Sequence, residues 1–225
     1  VVVDDSSFTW VAANSKMTGQ NNTVLTYEAA KTGVPIGTWL LSDIDKIPDR
    51  VKMIIVGTSY AAEPESLEKL QQVIEKGGRT IVVVGPTGYI DIKNGTRDAS
   101  RPGEILGLPI TVNTDSSVLT TDELCTPDGE IVVQQSYSPQ PRAEYDGEGI
   151  LYYGDGPAAA GGRDLANGGR LIWCGTAPAS RTLLKQWMQD AGVHFYGPEG
   201  YTMYATEELV SISADTLTTG TQNIY

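Results

Sequence analysis

Residues 51–85 read VKMIIVGTSYAAEPESLEKLQQVIEKGGRTIVVVG, and this stretch decides the fold. Two uninterrupted apolar runs, residues 53–56 and 81–84, are typical of parallel strands that are buried on both faces. Between them, residues 65–76 predict a helix, because apolar side chains recur at spacings of three and four and two glycines follow. The apolar face of this helix consists of Leu67, Leu70, Val73 and Ile74. Strand, helix and strand in this order predict a right-handed crossover in a parallel sheet.

The same alternation precedes this unit. Residues 1–4 and 38–41 predict two short strands. Each run is rich in residues that favour strands, and serine and aspartate follow it directly. Residues 22–32 predict the helix between them, and Gly33 marks its end. We therefore expect an α/β fold, with an open parallel sheet and helices on both faces.

The alternation returns near the C-terminus. Residues 170–174 predict a further sheet strand, and residues 179–191 predict a helix. After it, residues 202–205 and 209–213 alternate as a terminal hairpin does.

The middle of the chain, residues 88–169, lacks this regularity. It is rich in Gly, Pro, Asp, Ser and Thr, and this composition predicts turns and short antiparallel strands inserted before the last unit. By the same composition, residues 154–162 and 167–169 are predicted to be loops. Its extended runs are residues 110–112, 131–134 and 150–153.

Charge and motif content exclude several classes of function. The net charge is −12, and an acidic surface repels phosphate backbones and anionic lipids, so we expect no nucleic-acid or membrane partner. The apolar runs are also too short to span a bilayer. The glycines at 77–78 and 154–162 lack the strand and helix context of a phosphate-binding loop, so we expect no cofactor.

The two cysteines, Cys125 and Cys174, have neither zinc-site spacing nor a CxxC arrangement. They form either one disulfide or two buried thiols, and the second alternative is favoured because Cys174 ends an apolar strand. The chain begins at Val1 without a leader, which predicts that a signal peptide is absent or removed. A secreted or periplasmic location is favoured over a cytoplasmic one.

Polar residues follow the predicted strands, at the edge where open α/β sheets place their ligand crevice. Asp4-Asp5-Ser6-Ser7 follows the first strand, and its carboxylates either do acid–base or metal chemistry or cap the next segment. One alternative function is therefore the binding of a small ligand in a crevice at this edge, and we expect no metal site. The candidate crevice residues are Asp5, Ser6, Gly57, Thr58 and Thr87.

Gly85-Pro86-Thr87-Gly88 follows the second buried strand, where class I glutamine amidotransferases place a nucleophile elbow. Such an elbow needs a Cys or Ser and a histidine to deprotonate it. Here the apex holds Pro86 and Thr87, and His194 is the one histidine of the chain. We therefore predict no catalytic residue.

Several segments together resemble the β-galactosidase trimerisation domain, a flavodoxin-like (class I glutamine-amidotransferase-like) module of family 42-type glycoside hydrolases. These segments are residues 2–7, 32–36, 39–44, 51–56, 74–83, 191–196, 201–206 and 210–215. The resemblance implies an accessory domain over residues 1–205 and the start of a C-terminal β segment over 206–225. It also implies a non-catalytic module of carbohydrate degradation that packs on a catalytic barrel and supports homo-oligomers. The catalytic glutamates of that barrel have no counterpart here.

Two alternatives stay open. One is a carbohydrate- or small-ligand-binding domain that uses the crevice, and the other is a stand-alone hydrolase that uses Thr87 or an acid pair. For stability, we expect Leu70→Asp to unfold the chain and Tyr89→Ala to be tolerated.

Overall fold

The computed structural model describes residues 1–10, 19–113, 121–136, 142–205 and 209–214. Its helices are α1 (Asp5–Thr9), α2 (Leu25–Ala30), α3 (Pro64–Lys76), α4 (Arg101–Leu106) and α5 (Arg181–Asp190), with a π-helical turn (Gly19–Val24) and a 3-10 helix (Leu41–Lys46). Its strands are β1 (Val2–Val3), β2 (Trp39–Leu40), β3 (Met53–Thr58), β4 (Thr80–Val84), β5 (Ile90–Asp91), β6 (Thr96–Arg97), β7 (Ile110–Asn113), β8 (Thr121–Cys125), β9 (Ile131–Ser136), β10 (Arg142–Tyr145), β11 (Leu151–Tyr153), β12 (Ala158–Asp164), β13 (Arg170–Cys174), β14 (Tyr201–Ala205) and β15 (Val210–Ala214).

One large mixed sheet organises the described part of the chain. Its strand order is β2-β1-β3-β4-β13-β12-β11-β8-β9. The first five strands are parallel, and Val82 of β4 pairs with Ile55 of β3 on one side and Ile172 of β13 on the other. The last four strands are added antiparallel. The predicted α/β open sheet is confirmed. Strands β8, β9, β11 and β12 of the β-rich insertion extend this same sheet, while β7 with β10 and β5 with β6 form separate two-stranded sheets.

Helices cover both faces of the parallel half. On one face, α3 buries Leu70 completely and packs with Ile54, Ile81 and Trp173. On the other face, α2 and α5 contribute Leu25 and Leu184 to a second core. The predicted buried face of α3 is confirmed, since all four of its apolar residues lie in the first core. This double covering explains why β3 and β4 are apolar at nearly every position.

Residues 154–162 are not a loop as predicted, because residues 158–164 form β12 between β11 and β13. This strand begins with three alanines and two glycines, a composition that does not favour strands. Small residues are required there by packing. A Cβ atom on Gly161 would collide with the ring of Tyr145, and one on Gly162 would collide with the backbone of Leu171.

Two local predictions differ from the structure in detail, and a third is confirmed. The helix expected over residues 22–32 is a π-helical turn followed by α2, and it ends before Gly33, whose φ is +89°. The C-terminal hairpin is confirmed, with β14 and β15 antiparallel. Both cysteines are free, but only Cys174 is buried, while Cys125 is half-buried.

Candidate functional site

The parallel strands β1, β3, β4 and β13 all end at one side of the sheet, which we call the carboxyl edge. Asp4 follows β1 and caps α1, since its Oδ2 accepts hydrogen bonds from Ser7 N at 2.9 Å and from Ser7 Oγ at 2.5 Å. Asp4 is 2% exposed, and burial raises the pKa of its carboxyl, an effect that the two Ser7 hydrogen bonds oppose. Asp4 therefore has the structural role of a helix cap.

Ser7 connects this cap to the next strand. Its Oγ accepts a hydrogen bond from Ala61 N at 3.0 Å while donating to Asp4. The backbone that follows β3 is thereby held to the end of β1. Because the serine is 1% exposed, its hydroxyl is used within the protein and is not presented to solvent.

The π-helical turn places two asparagines over the strand ends. Asn22 Oδ1 accepts from Thr58 N at 3.1 Å, at the end of β3. Asn21 Oδ1 accepts from Ala177 N at 3.1 Å, just beyond β13. Gly57 has no side chain, and a Cβ atom there would collide with Asn22 Oδ1. In these contacts, asparagine side chains satisfy the backbone amides of Thr58 and Ala177 at the ends of two strands.

The elbow after β4 is also closed by internal hydrogen bonds. Gly85 has a φ of +80°, its N–H donates to Cys174 O at 2.7 Å, and its carbonyl accepts from Trp173 Nε1 at 2.8 Å. At the apex, the hydroxyls of Thr87 and Ser59 lie 3.0 Å apart, and Thr87 is fully buried. The described residues therefore place a hydroxyl, and not a base, beside Thr87.

The structure separates the predicted crevice residues into two groups. Thr58 and Thr87 are buried beneath the carboxyl edge. Asp5 is exposed and Ser6 half-buried on α1, where Asp5 Oδ1 accepts from Ser6 N at 3.1 Å. His194 lies elsewhere, in the segment that follows α5, with its ring edge-on to Tyr196. The residues are thus not assembled as a nucleophile and base.

Two buried polar atoms at the carboxyl edge, Asn22 Nδ2 and Thr58 Oγ1, have no hydrogen-bond partner among the described residues. Each leaves an unsatisfied group in a site that excludes solvent, which costs roughly 1–3 kcal/mol. Sequence reasoning selected Thr58 by its position after a strand but missed Asn21 and Asn22. An Asn pair at the start of a predicted helix is the signal that could have found them, since asparagine is a strong helix-capping residue.

The opposite side of the parallel half, the amino edge, contains an open cavity of about 570 Å³ that we call the amino-edge groove. It lies between the starts of β1, β2 and β3, the loop after α2, and the segment after α5. Its lining is mainly apolar and includes Val34, Ile36, Trp39, Met53, Met188, Val193 and Tyr196. The volume falls within the range of binding pockets, roughly 300–1,000 Å³.

The groove has a distinct electrostatic character. Arg50 and Lys52 lie on its lining, both exposed, and neither forms an ion pair with another described residue. No aspartate or glutamate is among the described residues that line it. In a chain of net charge −12, this is a local cationic region. Sequence reasoning missed the groove because its walls come from segments that are far apart in the chain.

Within the described ranges, no group of three His, Cys, Asp or Glu side chains is arranged to hold a metal ion. No helix in those ranges has the length and apolar character needed to cross a bilayer.

Comparison with known proteins gives structural neighbours only. Neither a scan against protein-family models nor a search of curated proteins gives a match. Among solved structures, Gan42B, a GH42 β-galactosidase from G. stearothermophilus, superposes with a TM-score of 0.65 at 12% identity, covering 95% of this chain and 33% of that one. The β-galactosidase of the haloarchaeon Halorubrum lacusprofundi gives 0.60 at 20% identity, covering 91% and 32%.

The same fold also occurs in a protein of a different description. The mmIFT52 N-terminal domain superposes with a TM-score of 0.51 at 12% identity, covering 86% of this chain and 97% of that one. At these identities the likeness shows the fold alone. The chain spans about a third of the length of the β-galactosidases it matches, so it has the fold of one portion of GH42 β-galactosidases.

Proposed function

We propose that this chain is a non-catalytic structural and oligomerisation module of a β-galactosidase-like glycoside hydrolase. The observation that carries the proposal is the coverage, since nearly the whole chain matches only a third of each GH42 β-galactosidase. In such a protein, the remaining two thirds would contain the catalytic barrel on which this module packs. Residues 1–205 would form the accessory domain and residues 206–225 the start of a C-terminal β segment, with the boundary inside the hairpin of β14 and β15.

The chemistry of the carboxyl edge supports the non-catalytic part of the proposal. Glycoside hydrolysis needs two carboxylates that face each other across a sugar, roughly 5–9 Å apart. Asp4 is buried as a helix cap, while Asp5 is exposed on α1. Amide hydrolysis needs an activated nucleophile, and Thr87 is instead held by Ser59.

The full-length gene product tests this proposal. We expect its reading frame to encode a glycosidase barrel ahead of Val1, and we expect the purified product to cleave a chromogenic galactoside. A reading frame that encodes only this chain would contradict the proposal. So would a full-length product in which the region before Val1 has no glycosidase activity.

A second candidate function is the binding of a small polar ligand, such as a sugar, at the carboxyl edge near Asp5, Ser6, Thr58 and Thr87. The observation that favours it is a pair of buried atoms, Asn22 Nδ2 and Thr58 Oγ1, to which no described residue is hydrogen-bonded. A ligand that enters this edge would satisfy both atoms. Calorimetry with galactose and lactose tests this candidate, and heat of binding that Thr58→Val removes would favour it over the accessory role.

A further inference from the structure

The order of the parallel strands reverses between β1 and β3. From β1 the chain passes to β2 on one side, and it then crosses to β3 on the other side of β1. Val2 of β1 accordingly pairs with Trp39 of β2 and with Val56 of β3. Open α/β sheets bind their ligands beyond the carboxyl ends of the strands at such a reversal. In this chain that position, which we call the switch point, lies between Asp4, which follows β1, and Thr58, the last residue of β3.

The π-helical turn (Gly19–Val24) carries Asn22 to the switch point, where Asn22 Oδ1 accepts a hydrogen bond from Thr58 N at 3.1 Å. π-Helical geometry is rare in proteins and occurs frequently at functional sites. The contact also fixes the orientation of the amide group, since only its oxygen can accept from an N–H group. Asn22 Nδ2 is therefore the donor side of the amide and is not used in the contact with Thr58 N.

Two polar atoms at the switch point, Asn22 Nδ2 and Thr58 Oγ1, have no hydrogen-bond partner among the described residues. Asn22 is 6% exposed and Thr58 is 1% exposed, so bulk solvent does not compensate these atoms. The two residues already touch through Asn22 Oδ1 and Thr58 N. A single bound oxygen can therefore serve both atoms, because each hydrogen bond spans about 2.7–3.2 Å.

The chemistry of the two atoms restricts what binds between them. An amide nitrogen has no free lone pair, so Asn22 Nδ2 cannot ligate a metal ion and disfavours a cation. Asp4 follows β1 and Asp5 begins α1, in a chain of net charge −12, and these charges disfavour an anion. An uncharged hydroxyl fits, because its oxygen accepts from Asn22 Nδ2 while its hydrogen is donated to Thr58 Oγ1.

We propose that Asn22 Nδ2 and Thr58 Oγ1 form a buried binding site for one uncharged hydroxyl group at the switch point. This inference rests on the second candidate function, ligand binding at the carboxyl edge, and it names the two recognising atoms and the chemical class that they accept. Two sources supply the same group, an ordered internal water molecule or a hydroxyl of a neutral sugar. Internal waters typically make about three hydrogen bonds to buried polar groups that lack other partners.

Two measurements on the full chain distinguish these sources. In a high-resolution crystal structure of the free chain, an internal water is a density peak within about 3.2 Å of both atoms. Calorimetry with galactose detects the sugar. If galactose binds, we expect galacturonate, which carries a carboxylate, to bind at least about tenfold more weakly.

Two variants remove one recognising atom each. Thr58→Val removes the hydroxyl and keeps the shape of the side chain, so we expect it to abolish the water peak or to weaken galactose binding about tenfold. Asn22→Asp keeps the acceptor for Thr58 N and removes the donor, and we expect the same loss. Thr58→Ser keeps the hydroxyl and should retain the occupant.

The matched control is Thr80→Val, the same change at a buried threonine at the start of β4, on the amino edge. Circular dichroism confirms that each variant is folded. A water peak or galactose binding that is lost in Thr58→Val and Asn22→Asp, and kept in the control, would support the site. A free chain with no density between the two atoms and no heat of galactose binding would overturn it. So would an occupant that persists in both variants, or galacturonate that binds as tightly as galactose.

These outcomes are separate from those of the proposed function. A bound water without galactose binding would overturn the second candidate function and leave the hydroxyl site standing. Loss of the hydroxyl site would leave the accessory role standing, because that role rests on the coverage of the GH42 β-galactosidases.

Discussion

The two edges of the parallel half of the sheet differ in what covers them. At the carboxyl edge, Ser7 donates a hydrogen bond to Asp4 and accepts one from Ala61 N, while the side-chain oxygens of Asn21 and Asn22 accept from the amides of Ala177 and Thr58. At the amino edge, apolar side chains surround a groove of about 570 Å³. In ligand-binding α/β sheets it is the carboxyl edge that is open. The comparison teaches that one scaffold can close its usual ligand crevice and leave the opposite edge free for contact.

The largest expected effect belongs to the core beneath both edges. Leu70→Asp places a carboxylate at a position that is 0% exposed, which costs several kcal/mol, a large part of a typical total of about 5–15 kcal/mol. We expect the variant to be unfolded by circular dichroism. Gln72→Asp, at an exposed position of the same helix, is the control, and a folded Leu70→Asp chain would contradict the assigned core.

The next effect is specific to the carboxyl edge. Gly57→Ala drives a methyl group into Asn22 Oδ1 and breaks its hydrogen bond to Thr58 N, so we expect a loss of about 2–4 kcal/mol in the free energy of unfolding. Gly19→Ala is the control, because a Cβ atom there meets no atom within 4 Å. Equal urea midpoints for the two variants would show that Asn22 does not seal this edge.

A smaller effect concerns pH. Burial raises the pKa of Asp4 in the folded chain, so the folded state keeps this proton over a range in which the unfolded chain has released it. The stability that Asp4 contributes is therefore full below its ordinary pKa and is lost as pH rises through the raised pKa.

Asp4→Asn removes this titration. The melting temperature of the variant should therefore improve relative to wild type as pH rises from about 3.5 to 7. Asp98→Asn should change in the opposite direction, because a hydrogen bond from Ser100 lowers the pKa of Asp98. Parallel curves for wild type and Asp4→Asn would contradict the buried carboxyl.

The smallest effect is expected at the amino edge. Arg50 and Lys52 are exposed and make no ion pair with a described residue, so Arg50→Ala and Lys52→Ala should each change the free energy of unfolding by less than about 0.5 kcal/mol. Thermal unfolding of dilute protein measures this. A clear loss of stability in either variant would show that the groove cations have a structural role.

The elements that could be predicted are those with strong local signals. The strands β3 and β4 and the helix α3 follow from continuous apolar runs and helical spacing within residues 51–85. The strand β12 could not be predicted, because its small residues are selected by the ring of Tyr145 and by the neighbouring backbone. Contacts between residues far apart in the chain therefore determine where β12 forms, and a local sequence pattern contains no information on such contacts.

Long-range contacts also explain two further features that the sequence analysis missed, the burial of Tyr89 and the amino-edge groove. Tyr89 was expected to tolerate Ala, but this prediction is inconsistent with the structure, where Tyr89 is 4% exposed within the first core. Tyr89 directly follows the predicted turn at residues 85–88, and no helical or strand periodicity there indicates that its side chain is buried. The amino-edge groove was missed for the same reason, since Val34, Trp39 and Val193 meet only after folding.

The measurement that tests the central claim most directly is turnover by the purified chain, with a chromogenic galactoside and with glutamine as substrates. We expect no turnover above background for either, because the described carboxylate Asp4 at the carboxyl edge caps a helix and the described partner of Thr87 is a hydroxyl, not a base. Cleavage of the galactoside that Asp5→Asn abolishes, without lowering the melting temperature, would contradict the account and make the carboxyl edge an active site.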